Sequence, residues 1–239
     1  NMINIRKAMI CLAAAAIAAV SCQKDDTLSY NNMTMGNIVN GKFVSDQGNT
    51  FNIIEQLCTG KLEDEKRAMV ICDVLNETEG ASGEYDVRLT NFAHVLDKDA
   101  VRLEDAVEGD IITQNPINIE QLWFSGGYAN MLISYYVKPG SETKHLVNLV
   151  YSKDDKGRYV LNFRHNGFGE VLTQENASQM MLGTAYVSFP LSKFITEDNA
   201  KLVLTWKWYK SIDSRLDLNT ITDYTFEYEW KRSGFEHKF

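Results

Sequence analysis

Residues 224–231 read Tyr-Thr-Phe-Glu-Tyr-Glu-Trp-Lys. Every second side chain is a large aromatic, and the residues between are polar. Successive side chains of an extended strand point to opposite faces. This period of two puts Tyr224, Phe226, Tyr228 and Trp230 on one face and Glu227, Glu229 and Lys231 in water. It predicts a half-buried antiparallel sheet. The pattern extends backwards. Leu202, Leu204, Trp206 and Trp208 form one face of the preceding strand, and Ala185 to Phe189 ends at Pro190. His145 to Tyr151 and Tyr159 to His165 flank Asp154-Asp155-Lys156-Gly157, a hairpin signal. Ala129 to Val137 runs into the turn Pro139-Gly140. Helical hints are confined to Glu104 to Val107 and Leu191 to Ile195. Six or seven such strands predict an antiparallel β-sandwich over residues 114–239.

Upstream the strands are shorter. Val39-Gly41-Phe43 alternates with polar partners, Gly48-Asn49 reads as a turn, and Phe51 to Ile54 returns. Arg67 to Asn76 places Val70, Cys72 and Val74 on one side. Tyr85-Val87-Leu89 alternates again towards Val95, and Val101-Arg102-Leu103 offers a fifth strand. Five short strands suffice for a small closed barrel of the OB-like kind over residues 36–113. The competing reading makes them the first sheet of one continuous β protein. Glu108 to Pro116, with Gly109, Asp110, Asn115 and Pro116, suits a connector. The expected fold class is therefore all-β, a small OB-like barrel followed by an antiparallel sandwich.

The first residues speak of location. Arg6 and Lys7 precede an apolar run from Ala8 to Val20, and Ala19-Val20-Ser21-Cys22 ends in a cysteine. This is a lipoprotein-type signal peptide, residues 1–21, with Cys22 as the lipidated N-terminus of the mature chain. The run is shorter than the ~20 apolar residues of a comfortable membrane span. Gln23-Lys24-Asp25-Asp26 resembles the surface-export signal of Bacteroidetes lipoproteins, which implies the outer leaflet of the outer membrane. Residues 22–35 then read as a lipidated polar tether.

Cleavage removes Arg6 and Lys7 but no acid, taking the formal net charge from -8 to -10. Phosphate binding needs a basic patch, so nucleic acid is not an expected partner. The expected membrane contact is the lipid on Cys22. Cys58 and Cys72 are left as a pair outside the cytoplasm. Either they form a disulfide, worth roughly 3 kcal/mol on the chain-entropy model, or they are two buried thiols. No Cys-x-x-Cys is present, so neither a zinc knuckle nor a redox motif is indicated.

The order of signal, barrel and sandwich resembles the NigD-like lipoproteins of the Bacteroidetes. The resemblance rests on Gly36-Asn37-Ile38-Val39, on Leu122-Trp123-Phe124-Ser125-Gly126-Gly127-Tyr128-Ala129-Asn130-Met131, and on the strands His145 to Val150 and Tyr159 to His165. It implies an OB-like domain followed by a sandwich, and an association with bacteriocin operons. It brings no catalytic residue.

The best polar constellation is His145 with His165. A hairpin centred on Asp155 sets them opposite each other with Cβ atoms ~5 Å apart. Two histidines could hold a metal if a third ligand joined them, but no spacing dictates one. Ser125-Gly126-Gly127 lacks the Gly-x-Ser-x-Gly frame of a nucleophile elbow. Asp25-Asp26 and Asp154-Asp155 read as export signal and turn. Trp206, Trp208 and Trp230 are in phase with core residues, which leaves Trp123 as the tryptophan expected at the surface. The sequence predicts no catalytic residue, no metal and no cofactor. Trp123, His145 and His165 are the candidate ligand contacts. The expected role is a non-enzymatic surface lipoprotein that binds a protein or an external ligand. The alternatives are a glycan-binding accessory protein of a polysaccharide uptake system and a bacteriocin-associated immunity lipoprotein.

Overall fold

The computed structural model describes residues 28–107 and 109–232. The expected signal peptide over residues 1–21, Cys22 and Gln23-Lys24-Asp25-Asp26 lie outside them. The described residues form fourteen strands joined by turns and short 3-10 segments, without an α-helix. They divide into two compact units. Unit 1 comprises residues 28–97 with 123–130, and unit 2 comprises residues 98–122 and 131–232.

Unit 1 is a closed five-stranded barrel. Its strands are β1 (Leu28–Val39), β2 (Lys42–Ser45), β3 (Thr50–Gln56), β4 (Arg67–Glu77) and β5 (Glu84–His94), in the order β1-β2-β3-β5-β4. Pairing of β1 with β4 closes the ring and removes the edges that an open sheet exposes. A two-residue strand, β6 (Leu96–Asp97), follows. Phe43, Phe51, Ala68, Val70, Val74, Val87 and Leu89 fill the interior by strict alternation.

The barrel matches the expected OB-like type, but its strands differ at both ends. Residues 28–35, read as tether, are strand. The alternation Val39-Gly41-Phe43 conceals a turn. Val39 pairs with Lys42, and Asn40 and Gly41 take φ of 52° and 76°. Asn-Gly is the dipeptide that closes a two-residue hairpin, because both positions need positive φ. Val101–Arg102, expected as the fifth barrel strand, is strand β7 of unit 2. Gly36 sits where β1 crosses the barrel most tightly. A Cβ there would lie 2.2 Å from the Val44 carbonyl oxygen and 2.6 Å from Phe43.

One side chain organises the open end of this unit. Arg67, at the start of β4, is completely buried. Its guanidinium grips Asp46 through two bonds of 2.9 and 2.6 Å and donates to Asn130 Oδ1 at 2.8 Å. The ring of Tyr128 stacks on it at 3.9 Å. Ser125 Oγ donates to Asp46 Oδ2 at 2.5 Å, and Asn130 Nδ2 donates to Ser125 Oγ at 3.0 Å. Gly126, with φ of 58°, admits the close approach, since a Cβ would stand 2.7 Å from Asp46 Oδ1.

Unit 2 holds the remaining strands: β8 (Asn118–Ser125) and β9 (Tyr128–Val137), whose shared tip belongs to unit 1, then β10 (Leu146–Lys153), β11 (Tyr159–Asn166), β12 (Met181–Pro190), β13 (Asn199–Ile212) and β14 (Arg215–Lys231). One sheet runs β14-β13-β11-β10-β7; β12, β9 and β8 lie in the other. The two form a sandwich around Met131, Ile133, Leu149, Leu161, Phe163, Phe189 and Leu204. The sheet is not wholly antiparallel. β11 and β13 run parallel, because β12 is laid in the opposite sheet between them, and β7 runs parallel to β10. Trp206, Trp208 and Trp230 are buried and Trp123 is half-buried.

Breaking a buried ion pair on one side leaves an uncompensated charge, at about 3–5 kcal/mol. Asp46→Ala is therefore expected to destabilise unit 1 by about that amount, measured by urea unfolding. Replacing Arg67 and Asp46 together by apolar residues should restore part of the loss.

Candidate functional site

The two histidines do meet, but not as the sequence suggests. The β10–β11 hairpin pairs Val147 with His165 and Lys153 with Tyr159, a register shifted by two from that of a turn centred on Asp155. The cause is Asp154. Its Oδ1 accepts the backbone N–H groups of Lys156 and Arg158 at 3.0 and 2.9 Å, and Oδ2 accepts Arg158 Nε at 2.8 Å. The loop thereby takes in residues 154–158, with Gly157 at φ 74°. His145, just before β10, reaches His165 diagonally, Nδ1 to Nε2 at 2.9 Å.

A chain of hydrogen bonds runs through this pair. His165 Nδ1 lies 3.0 Å from the Pro116 carbonyl, which can only accept. His145 Nε2 lies 3.1 Å from Glu170 Oε2. Glu170 also accepts the Ser141 hydroxyl and, at 3.1 Å, the Lys138 N–H. Ser141 and the Lys138 amide, together with His145, hold the Glu170 carboxyl down at about 2, the Ser141 bond contributing most. Burial, reinforced by His145, pushes His165 down from 6.5 to about 4. A neutral His165 that donates through Nδ1 must accept at Nε2. At the other end of the chain His145 Nε2 faces an acceptor-only carboxylate, so the network runs from the Pro116 carbonyl to Glu170 with both rings engaged. Tyr135 lies against both rings, at 5.0 and 5.5 Å. Gly167 makes room, since a Cβ there would meet the Glu170 carbonyl oxygen at 2.7 Å. Each ring nitrogen of the pair is spent on a protein partner, so this arrangement is a satisfied structural network.

Unit 2 also carries an open cleft of about 540 Å³ where β7 meets β10. Tyr151 and Phe194 stack in it at 4.0 Å and 15°, and Tyr159 meets Phe194 edge-on. Two ion pairs border it, Arg102 with Glu104 and Lys153 with Glu197, the latter at 2.6 Å. Lys153 Nζ stands 4.5 Å above the Tyr159 ring. Glu197 is held at about 2, first by Lys153 and then by the Tyr159 hydroxyl. Aromatic stacking and paired charges suit recognition.

Trp123 belongs to unit 1 and is not part of either cluster in unit 2. Cys58 and Cys72 are free thiols. Cys58 packs against the barrel core, and burial pushes the Cys72 thiol up to about 12, far from the thiolate a nucleophile requires. Sequence reasoning missed Glu170 and the cleft. Only the glycines at 167 and 169, marking a tight loop after β11, hinted at the former.

The model of the NigD-like C-terminal beta sandwich domain matches residues 99–221. No curated protein matches the chain. Among solved structures, a NigD-like immunity protein from Bacteroides caccae ATCC 43185 superposes with a TM-score of 0.59 at 15% identity, covering 87% of this chain and 99% of that one. A protein provisionally described as a lipoprotein, from Bacteroides fragilis NCTC 9343, gives 0.58 at 16% identity, with 87% and 100% covered. One provisionally described as toxin-related, from Parabacteroides distasonis ATCC 8503, gives 0.56 at 19%, with 85% and 93% covered. At these identities the likeness speaks for the fold.

Burial of neutral His165 has a defined pH consequence. Its folded value is depressed, so between pH 6.5 and 4 the unfolded chain takes up a proton that the folded chain refuses. Stability is complete above that window and is lost as pH falls through it, by up to about 3 kcal/mol. Urea unfolding at stepped pH should show this limb in the wild type and lose it in His165→Gln.

Proposed function

The chain belongs to the family defined by the NigD-like C-terminal β-sandwich domain, and on that premise we propose a lipid-anchored, non-catalytic recognition protein of the outer-membrane surface. The observation that supports it most is the cleft beside β7 and β10. Its aromatic pair Tyr151–Phe194 offers contact area, and its border charges are tied in ion pairs. Such a surface binds through shape and stacking, without a group poised to move a proton. The anchor is the lipid on Cys22, and Gln23-Lys24-Asp25-Asp26 directs export to the surface.

A protein partner is preferred to a glycan. The glycan reading needs exposed aromatics along one concave face, and of the four tryptophans Trp206, Trp208 and Trp230 are buried, which leaves it only the half-buried Trp123. Bacteriocin immunity is a second reading, favoured by family membership and by the description of the Bacteroides caccae neighbour. There the partner would be a toxin or its receptor.

Two measurements on cells test the proposal. Labelled palmitate should enter the wild type but not Cys22→Ala, and proteinase added to intact cells should degrade the protein. A photo-crosslinking residue in place of Leu103, at the cleft, should yield a discrete adduct in living cells. Phe194→Glu should abolish that adduct while leaving the fold intact. A protein resistant until the outer membrane is breached, or a cleft that captures nothing, overturns the reading.

A further inference from the structure

Among the described residues β14 is the outermost strand of its sheet. From Ile221 to Lys231 it pairs with β13 without interruption, from Tyr209 back to Asn199. Long edge strands are normally defended by proline, by a bulge or by charged side chains, lysine above all. Residues 222–230 hold no proline and no lysine, and the only register shift lies earlier, between Tyr209 and Lys210.

The two faces of β14 differ. Towards the sandwich interior, Tyr224, Phe226 and Tyr228 are each only half-buried. Their partners on β13, Trp206, Leu204 and Leu202, are buried. Tyr224 stacks on Trp206 at 5.7 Å, and Phe226 on Tyr228 at 6.3 Å. Among the described residues no strand lies beyond this half-buried aromatic row. On the opposite face Asp223, Glu227 and Glu229 form an exposed acidic row, with Asp223 and Glu227 each more than two-thirds exposed. The cations lie one row further in. Lys207 is opposite Asp223 and bonded to it at 2.8 Å, Lys201 is opposite Glu229, and Arg158 reaches Glu227 at 3.1 Å. Crossing the sheet outwards, charge runs from positive to negative.

We propose that β14 is a docking edge for an extended segment of another polypeptide whose residues alternate between apolar and basic. Its main chain would extend the ladder, and its apolar residues would cover Tyr224, Phe226 and Tyr228. Its cations would continue the alternation of charge beyond Asp223, Glu227 and Glu229. The same acidic row disfavours a second copy of β14. Antiparallel pairing centred on Thr225 would set Asp223 against Glu227 of the other copy, and like charges directly opposed are destabilising.

The test uses two peptides of about eight residues, roughly the length of a strand. One alternates valine with lysine, the other valine with glutamate. The lysine peptide is expected to bind about tenfold or more tightly than the glutamate peptide, on the scale that several favourable cross-strand charge pairs supply. It should protect backbone amides of residues 221–231 from hydrogen exchange and weaken with added salt. The double variant Glu227→Lys, Glu229→Lys, checked for an unchanged melting transition, should invert the preference. Equal binding of the two peptides, protection located elsewhere, or a dimer paired through β14 overturns the proposal. If the double variant fails to fold, amide protection in the wild type alone decides.

Discussion

The buried pair Arg67–Asp46 is the constraint on which unit 1 depends. A guanidinium without solvent is tolerable only if its donors are met, and here a bidentate carboxylate, an amide oxygen and an aromatic face meet them. Those partners come from two stretches distant in sequence from the start of β4: the β2–β3 turn, and Ser125 to Asn130 around the Gly126-Gly127 turn. None can shift without leaving a charge or a lone pair unsatisfied inside the protein. This converts a permissive apolar barrel into one with a fixed end. Hydrophobic filling supplies most of the driving force, and the ion pair penalises any arrangement that strands one of its charges.

The His145–His165–Glu170 chain applies the same logic in unit 2. A strand pair says little about where the loops at its ends should lie. The hydrogen bonds to Pro116, Lys138 and Ser141 place three loops at once. A pair of histidines on neighbouring strands invites a metal reading. The protein has instead tied each ring nitrogen to a partner of its own.

The architecture was largely legible because it follows from periodicity. Alternation along residues 201–209 and 224–231 identifies which tryptophans are core, and the burial of Trp206, Trp208 and Trp230 agrees. What escaped is long-range or set by single side chains. The hairpin register depends on one aspartate accepting two amide hydrogens. The turn at Asn40-Gly41 was masked because its flanks keep the alternation through it. Ser125-Gly126-Gly127, which lacks a nucleophile frame, has its meaning in Gly126, whose missing Cβ lets the turn close on Asp46. Such a contact spans 79 residues and leaves no periodic trace. Arg67 itself reads in sequence as an ordinary strand opening.

The parallel pairing of β11 with β13 bears on how the chain assembles in time. An antiparallel neighbour can zip from its turn as soon as both strands exist. β13 has such a start with β14, across the Asp213-Ser214 turn, but none with β11. It must wait until β12 has crossed to the other sheet, and only then can Tyr159 find Leu202 and Asn162 find Thr205. Loop closure of that span is a barrier to be crossed before any contact compensates it. The barrel meets the same requirement within residues 28–94, where β5 runs parallel to β3 and β4 lies between them in sequence. Until β13 pairs with β11, β10 and β11 stand as a hairpin with aromatic surface open to the wrong neighbour.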